Sequence, residues 1–331
     1  MQLKEKARIS ASLLKEFVLF NKKMAFFAIN NTCNSRCRMC SIWKSKVKSN
    51  VKYQDAVKVL DKLKANNFKI IQITGGEPFL NPDIFKILEY AKKTGFYILV
   101  VTNGSLITEE AAKRLAKINI DQISVSFHHY DPKVFEKIEN HKDIFEKARN
   151  AIGSLRKEKV HVSALCTISK YNMNDIEKTV KFIEGLGLYT NFCIPVTLDQ
   201  TSFSLGGDDC VELTKDEMKK VISTILRMKK KGHKIINSSV YLKDVISSLN
   251  GRSMYSCYGG SKLWFVDWNL KVYPCMGKGV GQRIEKATFE DYDVCKECLI
   301  QCFREPSVFF KSRREAIRVF SKDARFYMKG I

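Results

Sequence analysis

Residues 69–104 read KIIQITGGEPFLNPDIFKILEYAKKTGFYILVVTNG, and the order of signals within them sets the fold. Lys69–Thr74 is a β-rich run that stops at Gly75-Gly76, which predicts a strand. Pro82–Thr94 follows with proline near its first turn, which predicts a helix. Tyr97–Thr102 is a second β-rich run, closed by Asn103-Gly104. Strand, helix and strand with short connections predict two parallel strands joined by a helical crossover.

The same alternation extends in both directions. On the N-terminal side, Met24–Asn30 predicts a strand, and Tyr53–Asn66 a helix with apolar positions at Val57, Leu60 and Leu63. On the C-terminal side, Thr108–Lys117 opens with Thr108 as cap and Glu109-Glu110 in its first turn. Strand Ile120–Ser126, helix Pro132–Lys157, strand Val160–Ile168, helix Met173–Leu186, strand Thr190–Val196 and a helix over Lys215–Lys231 complete the series. Six strands, each leading to a helix, predict a parallel sheet with helices on its outer face. Chemistry in such sheets sits at the carboxyl ends of the strands. Cys33, Gly75-Gly76-Glu77-Pro78, Thr102-Asn103-Gly104 and Ser126-Phe127-His128 all fall at such ends, so they predict one shared site.

Beyond Cys257 the alternation stops. Leu263–Val266 and Lys271–Tyr273 flank Asp267-Trp268-Asn269-Leu270 and predict a β-hairpin. The chain thus divides into an N-terminal amphipathic helix over 1–23, an α/β core over 24–235, a small cysteine-rich unit over 236–306 and a basic amphipathic helix over 307–331.

Composition narrows the class. The 331 residues are 45% hydrophobic, enough for a substantial core, and only six are proline, which argues against extensive disorder. No apolar run is long enough to cross a bilayer, and Leu13–Phe20 is interrupted by Lys15 and Glu16 without a cleavage site after it, so the expected location is cytoplasmic. Lys and Arg number 57 against 35 acids, a formal charge of +22, which attracts anionic partners. Eleven cysteines, an odd number in a chain without a secretion signal, argue for metal chemistry over a disulfide framework.

Three of them lie in Asn31-Thr-Cys33-Asn-Ser-Arg-Cys37-Arg-Met-Cys40, spaced CxxxCxxC. A loop with three thiolates can ligate three irons of a cubane cluster and leave the fourth open. A closed structural zinc site needs a fourth ligand, and the loop has no histidine to supply it. CxxxCxxC followed about thirty-five residues later by GGEP, each after a predicted strand, resembles the radical SAM superfamily. The resemblance covers roughly residues 24–200. It implies a partial (β/α)6 TIM-like barrel with a [4Fe–4S] cluster on Cys33, Cys37 and Cys40. It also implies S-adenosylmethionine chelating the open iron, and reductive cleavage to a 5′-deoxyadenosyl radical that abstracts hydrogen. A low-potential electron donor such as ferredoxin or flavodoxin is the implied partner. By the same resemblance Gly75, Gly76, Glu77 and Pro78 contact the methionine amino group, Thr102 and Asn103 line the cofactor pocket, and Ser126 contacts the ribose or carboxylate. Family members often have Asp two residues after that serine; this chain has His128. The backbone near Ile168 corresponds to the adenine contact.

A second group follows: Cys257, Cys275, Cys295, Cys298 and Cys302. Cys275 ends the phrase Phe265-Val-Asp-Trp-Asn-Leu-Lys-Val-Tyr-Pro-Cys, which resembles the hairpin of SPASM and twitch domains. That resemblance implies an auxiliary [4Fe–4S] cluster in a short, twitch-type extension. Asn269 stands where glycine is usual and is expected to take the left-handed turn position. The ligand set is Cys257, Cys275, Cys295 and Cys298 with Cys302 spare, or one in which Cys302, a helical turn from Cys298, replaces Cys295. A zinc ribbon is the structural alternative.

For the substrate, the basic amphipathic ends point to an anionic lipid or isoprenoid chain and to peripheral attachment at the inner membrane face. Hydrogen abstraction from an unactivated C–H bond, with carbon–carbon bond formation, is the expected reaction. The rival is a maturase that modifies a peptide or protein. A third class, a metal-stapled nucleic-acid-binding protein, explains the charge but not GGEP. His128, Tyr130 and Cys193 are the candidate substrate-facing residues, with His129 and Cys166 near them.

Overall fold

The computed structural model describes residues 23–195 and 211–310, apart from 278, 294 and 297. Its strands form one nine-stranded sheet. In chain order these are β1 (Lys23–Ala28), β2 (Phe68–Thr74), β3 (Tyr97–Thr102), β4 (Gln122–Ser126), β5 (Val162–Thr167), β6 (Thr190–Cys193), β7 (Leu263–Val266), β8 (Lys271–Tyr273) and β9 (Gln282–Arg283). In space they run β6-β5-β4-β3-β2-β1-β7-β8-β9. Every pair from β6 to β7 is parallel, and β7-β8-β9 is antiparallel.

The six predicted strands are thus neighbours in sequence order, the arrangement of the expected partial (β/α)6 barrel. The hairpin continues the same sheet, because β7 pairs with β1 through Met24–Leu263 to Phe27–Val266. Its Trp264, Val266 and Val272 belong to the main core cluster with Phe68 and Ile71.

Period-two alternation gives each strand two destinations. In β3, Ile98 and Val100 are fully buried against the helices, whereas Tyr97, Leu99 and Val101 face inward. The crossover helices include α1 (Tyr53–Ala65), α2 (Ile84–Lys93) and α3 (Glu109–Ile118). In α1, Ala56, Val59, Leu60 and Leu63 form the buried stripe, at helical spacing. In α3, Thr108 accepts the Ala111 N–H as N-cap and Asn119 closes the helix in the left-handed conformation.

The single helix expected over Pro132–Lys157 is two: α4 (Pro132–Glu139) and α5 (Ile144–Lys157). Asn140 and Asp143 take φ of 45° and 60°, left-handed positions that these residue types tolerate and that stop a helix. The break leaves Glu139 at a helix end, free to turn into the site.

α6 (Ile176–Gly185) and α7 (Lys215–Lys230) follow, the latter opened by a capping box between Thr214 and Glu217. Two further helices were not expected: α8 (Ser239–Leu249) and α9 (Gln301–Ser307). The left-handed turn residue of the β7–β8 hairpin is Leu270, φ 60°, and not Asn269. The Asp267 carboxylate accepts both the Asn269 and Lys271 N–H groups, and this holds Leu270 in that conformation. The amphipathic helix expected over 1–23 lies, but for Lys23, outside the described residues, as does the helix expected over 307–331 beyond Phe310.

Candidate active site

The inward faces of β1–β6 surround a cavity of about 550 Å³. One wall is apolar, from Met24, Phe26, Ile70, Leu99 and Val101; the facing wall is polar, from Gln122, Ser124, Thr167 and Asn191. Cys33, Cys37 and Cys40 line it, with Gly75, Gly76, Thr102, Asn103 and Ser126 from the strand ends. On the other side it is closed by Ile300, Gln301, Cys302 and Glu305 at the start of α9.

The cysteine loop is held from several sides. Asn103 Nδ2 donates to Asn34 Oδ1 (2.9 Å) and Ser35 Oγ (3.2 Å), which fastens the turn after β3 to the loop after β1. Trp43 Nε1 donates to the Cys37 carbonyl, and the Arg36 and Arg38 N–H groups donate to the carbonyls of Glu139 and Ile138. Burial pushes the Cys33 thiol up to about 12 and the Cys40 thiol up to about 11. Burial beside the Glu139 carboxylate raises Cys37 as well. Three thiolates in such a pocket demand a strongly cationic partner, which iron is. The donor set and the adjoining cavity fit a cluster with one open coordination site.

Gly75 and Gly76 are dictated first by the protein itself. A Cβ on Gly75 would lie 2.4 Å from the Asn30 carbonyl oxygen, and one on Gly76 2.1 Å from that of Thr32. The ends of β1 and β2 therefore approach too closely for any side chain. The Glu77 carboxylate is fully buried behind this wall, where it accepts from Phe79 N, Thr102 Oγ1 and Asn103 N. Burial pushes its carboxyl up to about 7. Glu77 and Pro78 are not among the lining residues; Glu77 ties the turns after β2 and β3 together.

His128 is likewise behind the wall and does not face the substrate space. Its Nε2 donates to Glu139 Oε1 (2.8 Å), and its Nδ1 accepts the Thr167 N–H (3.1 Å). Glu139 does line the cavity, and its other oxygen accepts from Cys37 Sγ (2.8 Å). Burial raises the Glu139 carboxyl, but the hydrogen bonds it accepts, that from His128 foremost, prevail and hold it below the usual range. Tyr130 stacks on His129 outside the cavity, and Ile168 is buried in the second core cluster, because both follow their strand ends outward. Cys166 is buried in that same cluster; Cys193, on the neighbouring strand β6, lines the cavity, and burial pushes its thiol up to about 12. Cys210 lies outside the described residues.

The five C-terminal cysteines meet on one apolar cluster with Phe26, Phe303 and Met276. The Cys257 N–H donates to the Cys295 carbonyl (2.7 Å), the Gly277 N–H to Cys275 Sγ (3.1 Å), and Cys302 Sγ lies 3.8 Å from Met276 Sδ. Among the five, Cys302 alone lines the cavity. Glu139, Gln301 and Glu305 escaped the sequence reading. Glu139 was hidden inside a helix thought continuous, and the other two have no motif around them.

A model of the radical SAM superfamily matches residues 28–183. An AdoMet-dependent heme synthase from Methanosarcina barkeri is 23% identical, over 73% of this chain and 73% of its own. The tungsten-containing aldehyde ferredoxin oxidoreductase cofactor-modifying protein of Pyrococcus furiosus is also 23% identical, over 76% and 70%. Among solved structures, Streptococcus suis SuiB bound to the precursor peptide SuiA shares the fold with a TM-score of 0.66 and 16% identity, over 98% of this chain and 74% of that one. Native anSMEcpe with bound AdoMet aligns with a TM-score of 0.63 and 17% identity, over 92% and 98%.

Proposed function

Residues 28–183 belong to the radical SAM superfamily, and on that premise we propose that this enzyme abstracts hydrogen from a substrate enclosed by its strand-end cavity. The observation that carries the reading is that Cys33, Cys37 and Cys40 line the same space as the turns after β2, β3 and β4. A [4Fe–4S] cluster with S-adenosylmethionine, when bound there, supplies a carbon radical strong enough to attack an unactivated C–H bond. The chain's own residues do the rest. The three thiolates would hold the cluster, and the crowded Gly75-Gly76 backbone, Thr102, Asn103 and Ser126 would flank the cofactor. The apolar wall of Met24, Phe26 and Leu99 keeps water from the reacting carbon.

For the substrate, one observation favours a peptide or another amide-bearing molecule over the anionic lipid. Among the described residues no Lys or Arg lines the cavity, although the whole chain carries +22. The lining acids are Glu139 and Glu305. Among the described residues, a phosphate or carboxylate headgroup inside would meet neither a lysine nor an arginine. The exterior surplus suits docking of an acidic electron-donor protein. No helix among the described residues is long and apolar enough to cross a membrane.

The test is anaerobic iron–sulfur reconstitution followed by reduction in the presence of S-adenosylmethionine. Release of 5′-deoxyadenosine is expected, with its loss in Cys37→Ala. No product from the reconstituted protein, or an undiminished yield from the variant, defeats the reading.

A further inference from the structure

The second carboxylate of the cavity stands in a site built for it. Asn237 clamps the edge strand β6: the Phe192 N–H donates to its Oδ1 (2.6 Å) and its Nδ2 donates to the Phe192 carbonyl (2.9 Å). This two-point bond fixes which end of the amide is which. Nδ2 is then committed to Glu305 Oε2 (2.9 Å) and Asn191 Oδ1 (3.0 Å). Gln301 Nε2 also donates to Glu305 Oε2 (2.6 Å), and the Ser238 N–H donates to Oε1 (2.7 Å). The amide N–H groups of Asn237 and Gln301 are thus turned onto Glu305 and the Asn191 Oδ1. Glu305 and Gln301 themselves keep acceptor capacity: a second lone pair on Glu305 Oε1 and the carbonyl oxygen of Gln301.

Glu305 is only 8% exposed, and it lines the cavity. Burial raises its carboxyl, opposed by these hydrogen bonds and by the charge of Lys229. Lys229 does not line the cavity, and its Nζ donates to the Ile235 carbonyl (2.9 Å). A charge so placed gains from any ligand that brings a donor and loses from any that brings a second negative charge. Ile300, Phe309 and Met276 beside it suit an alkyl stem.

We propose that Glu305 and Gln301 form a substrate subsite for a nitrogen-borne hydrogen-bond donor, ammonium or amide, on an apolar stem, and that it rejects carboxylates and phosphates. The proposal rests on the reading above for the statement that the cavity holds the substrate. It adds which chemical group the substrate presents and where.

Three probes of one backbone decide it: N-acetyl-lysine methylamide, N-acetyl-glutamine methylamide and N-acetyl-glutamate methylamide. Each is titrated calorimetrically into the reconstituted full-length protein with S-adenosylmethionine present. At least one nitrogen probe is expected to bind ten times or more as tightly as the glutamate probe. The better of the two tells an ammonium from an amide. Glu305→Gln is expected to cut that preference at least tenfold while leaving S-adenosylmethionine affinity unchanged. Equal binding of the glutamate probe, or no binding of either nitrogen probe at millimolar concentration, overturns the proposal on the unaltered protein, whether or not the variant folds. A folded Glu305→Gln protein that keeps the full preference overturns it too. Formation of 5′-deoxyadenosine without any probe tests the catalytic reading separately, so the two can fail independently.

Discussion

His128 Nε2 lies 2.8 Å from Glu139 Oε1, while Nδ1 of the same ring accepts the Thr167 N–H at 3.1 Å. A ring nitrogen that accepts a backbone N–H carries no proton, so the proton sits on Nε2 and is donated to the carboxylate. The imidazole thereby fixes Glu139 from behind, and Glu139 in turn meets Cys37 Sγ at 2.8 Å. The histidine after β4 is thus tied to an acid brought from the end of α4.

Removing that support leaves a buried carboxylate without its partner. His128→Phe is expected to cost about 3 kcal/mol in urea unfolding. His128→Gln, which keeps an N–H donor, is expected to lose clearly less. Equal losses from the two variants would show that ring packing, not the hydrogen bond, matters at this position.

Glu77 gives a pH dependence of known sign. Its folded-state pKa is pushed up to about 7, above the ordinary 4.5, by burial. The native state therefore binds this proton more tightly than the unfolded chain does. The resulting stabilisation is complete below about pH 4.5 and is lost as pH rises through about 7. Across that window the stability of the native protein relative to Glu77→Gln is expected to fall by up to about 3 kcal/mol. Chemical denaturation at a series of pH values reads it, and a flat difference contradicts the burial argument.

The two glycines after β2 should differ sharply from a helical one. Gly76→Ala places a methyl 2.1 Å from the Thr32 carbonyl oxygen, against backbone that cannot move aside. A loss of about 3 kcal/mol or more is expected. Gly153, inside α5, has nothing within 4 Å of the added methyl, so Gly153→Ala is expected to stabilise by about 0.5–1 kcal/mol. Thermal melts of the pair check both signs.

Arg304 and Asp244 form an ion pair, Nε to Oδ2 at 2.6 Å, with both side chains fully buried. It joins α9, which carries Cys302 and Glu305, to α8. Arg304→Met is expected to cost about 3–5 kcal/mol, because the buried Asp244 is left without a counter-ion and with only the Met254 N–H. The double variant with Asp244→Leu is expected to recover much of this. If the double variant is no more stable than the single one, charge burial is not the cause.

Strand by strand, the α/β core was legible because alternation of period two and period 3.6 is written locally. The strand over Lys69–Thr74, for example, differs from the observed Phe68–Thr74 by one residue. Helix ends set by left-handed residues were harder. Asn140 and Asp143 break the helix expected over Pro132–Lys157, yet neither is a glycine or proline that would have marked it. Leu270 in the hairpin is harder still, since a leucine rarely takes a left-handed φ, and here the Asp267 carboxylate holds the turn.

The spacing of Cys33, Cys37 and Cys40, with GGEP after the next strand, was enough to carry the resemblance that implies the chemistry, because motif residues at strand ends need only local order to be recognised. Which side chains surround that chemistry was decided by tertiary structure. His128 follows a strand end yet turns behind the wall, while Glu139, Gln301 and Glu305 reach the cavity from helix ends far apart in the chain. The absence of any lining Lys or Arg among the described residues of a strongly basic protein follows from how the helices close over the sheet. Composition records the total charge; only packing assigns each charge to the outside or the inside.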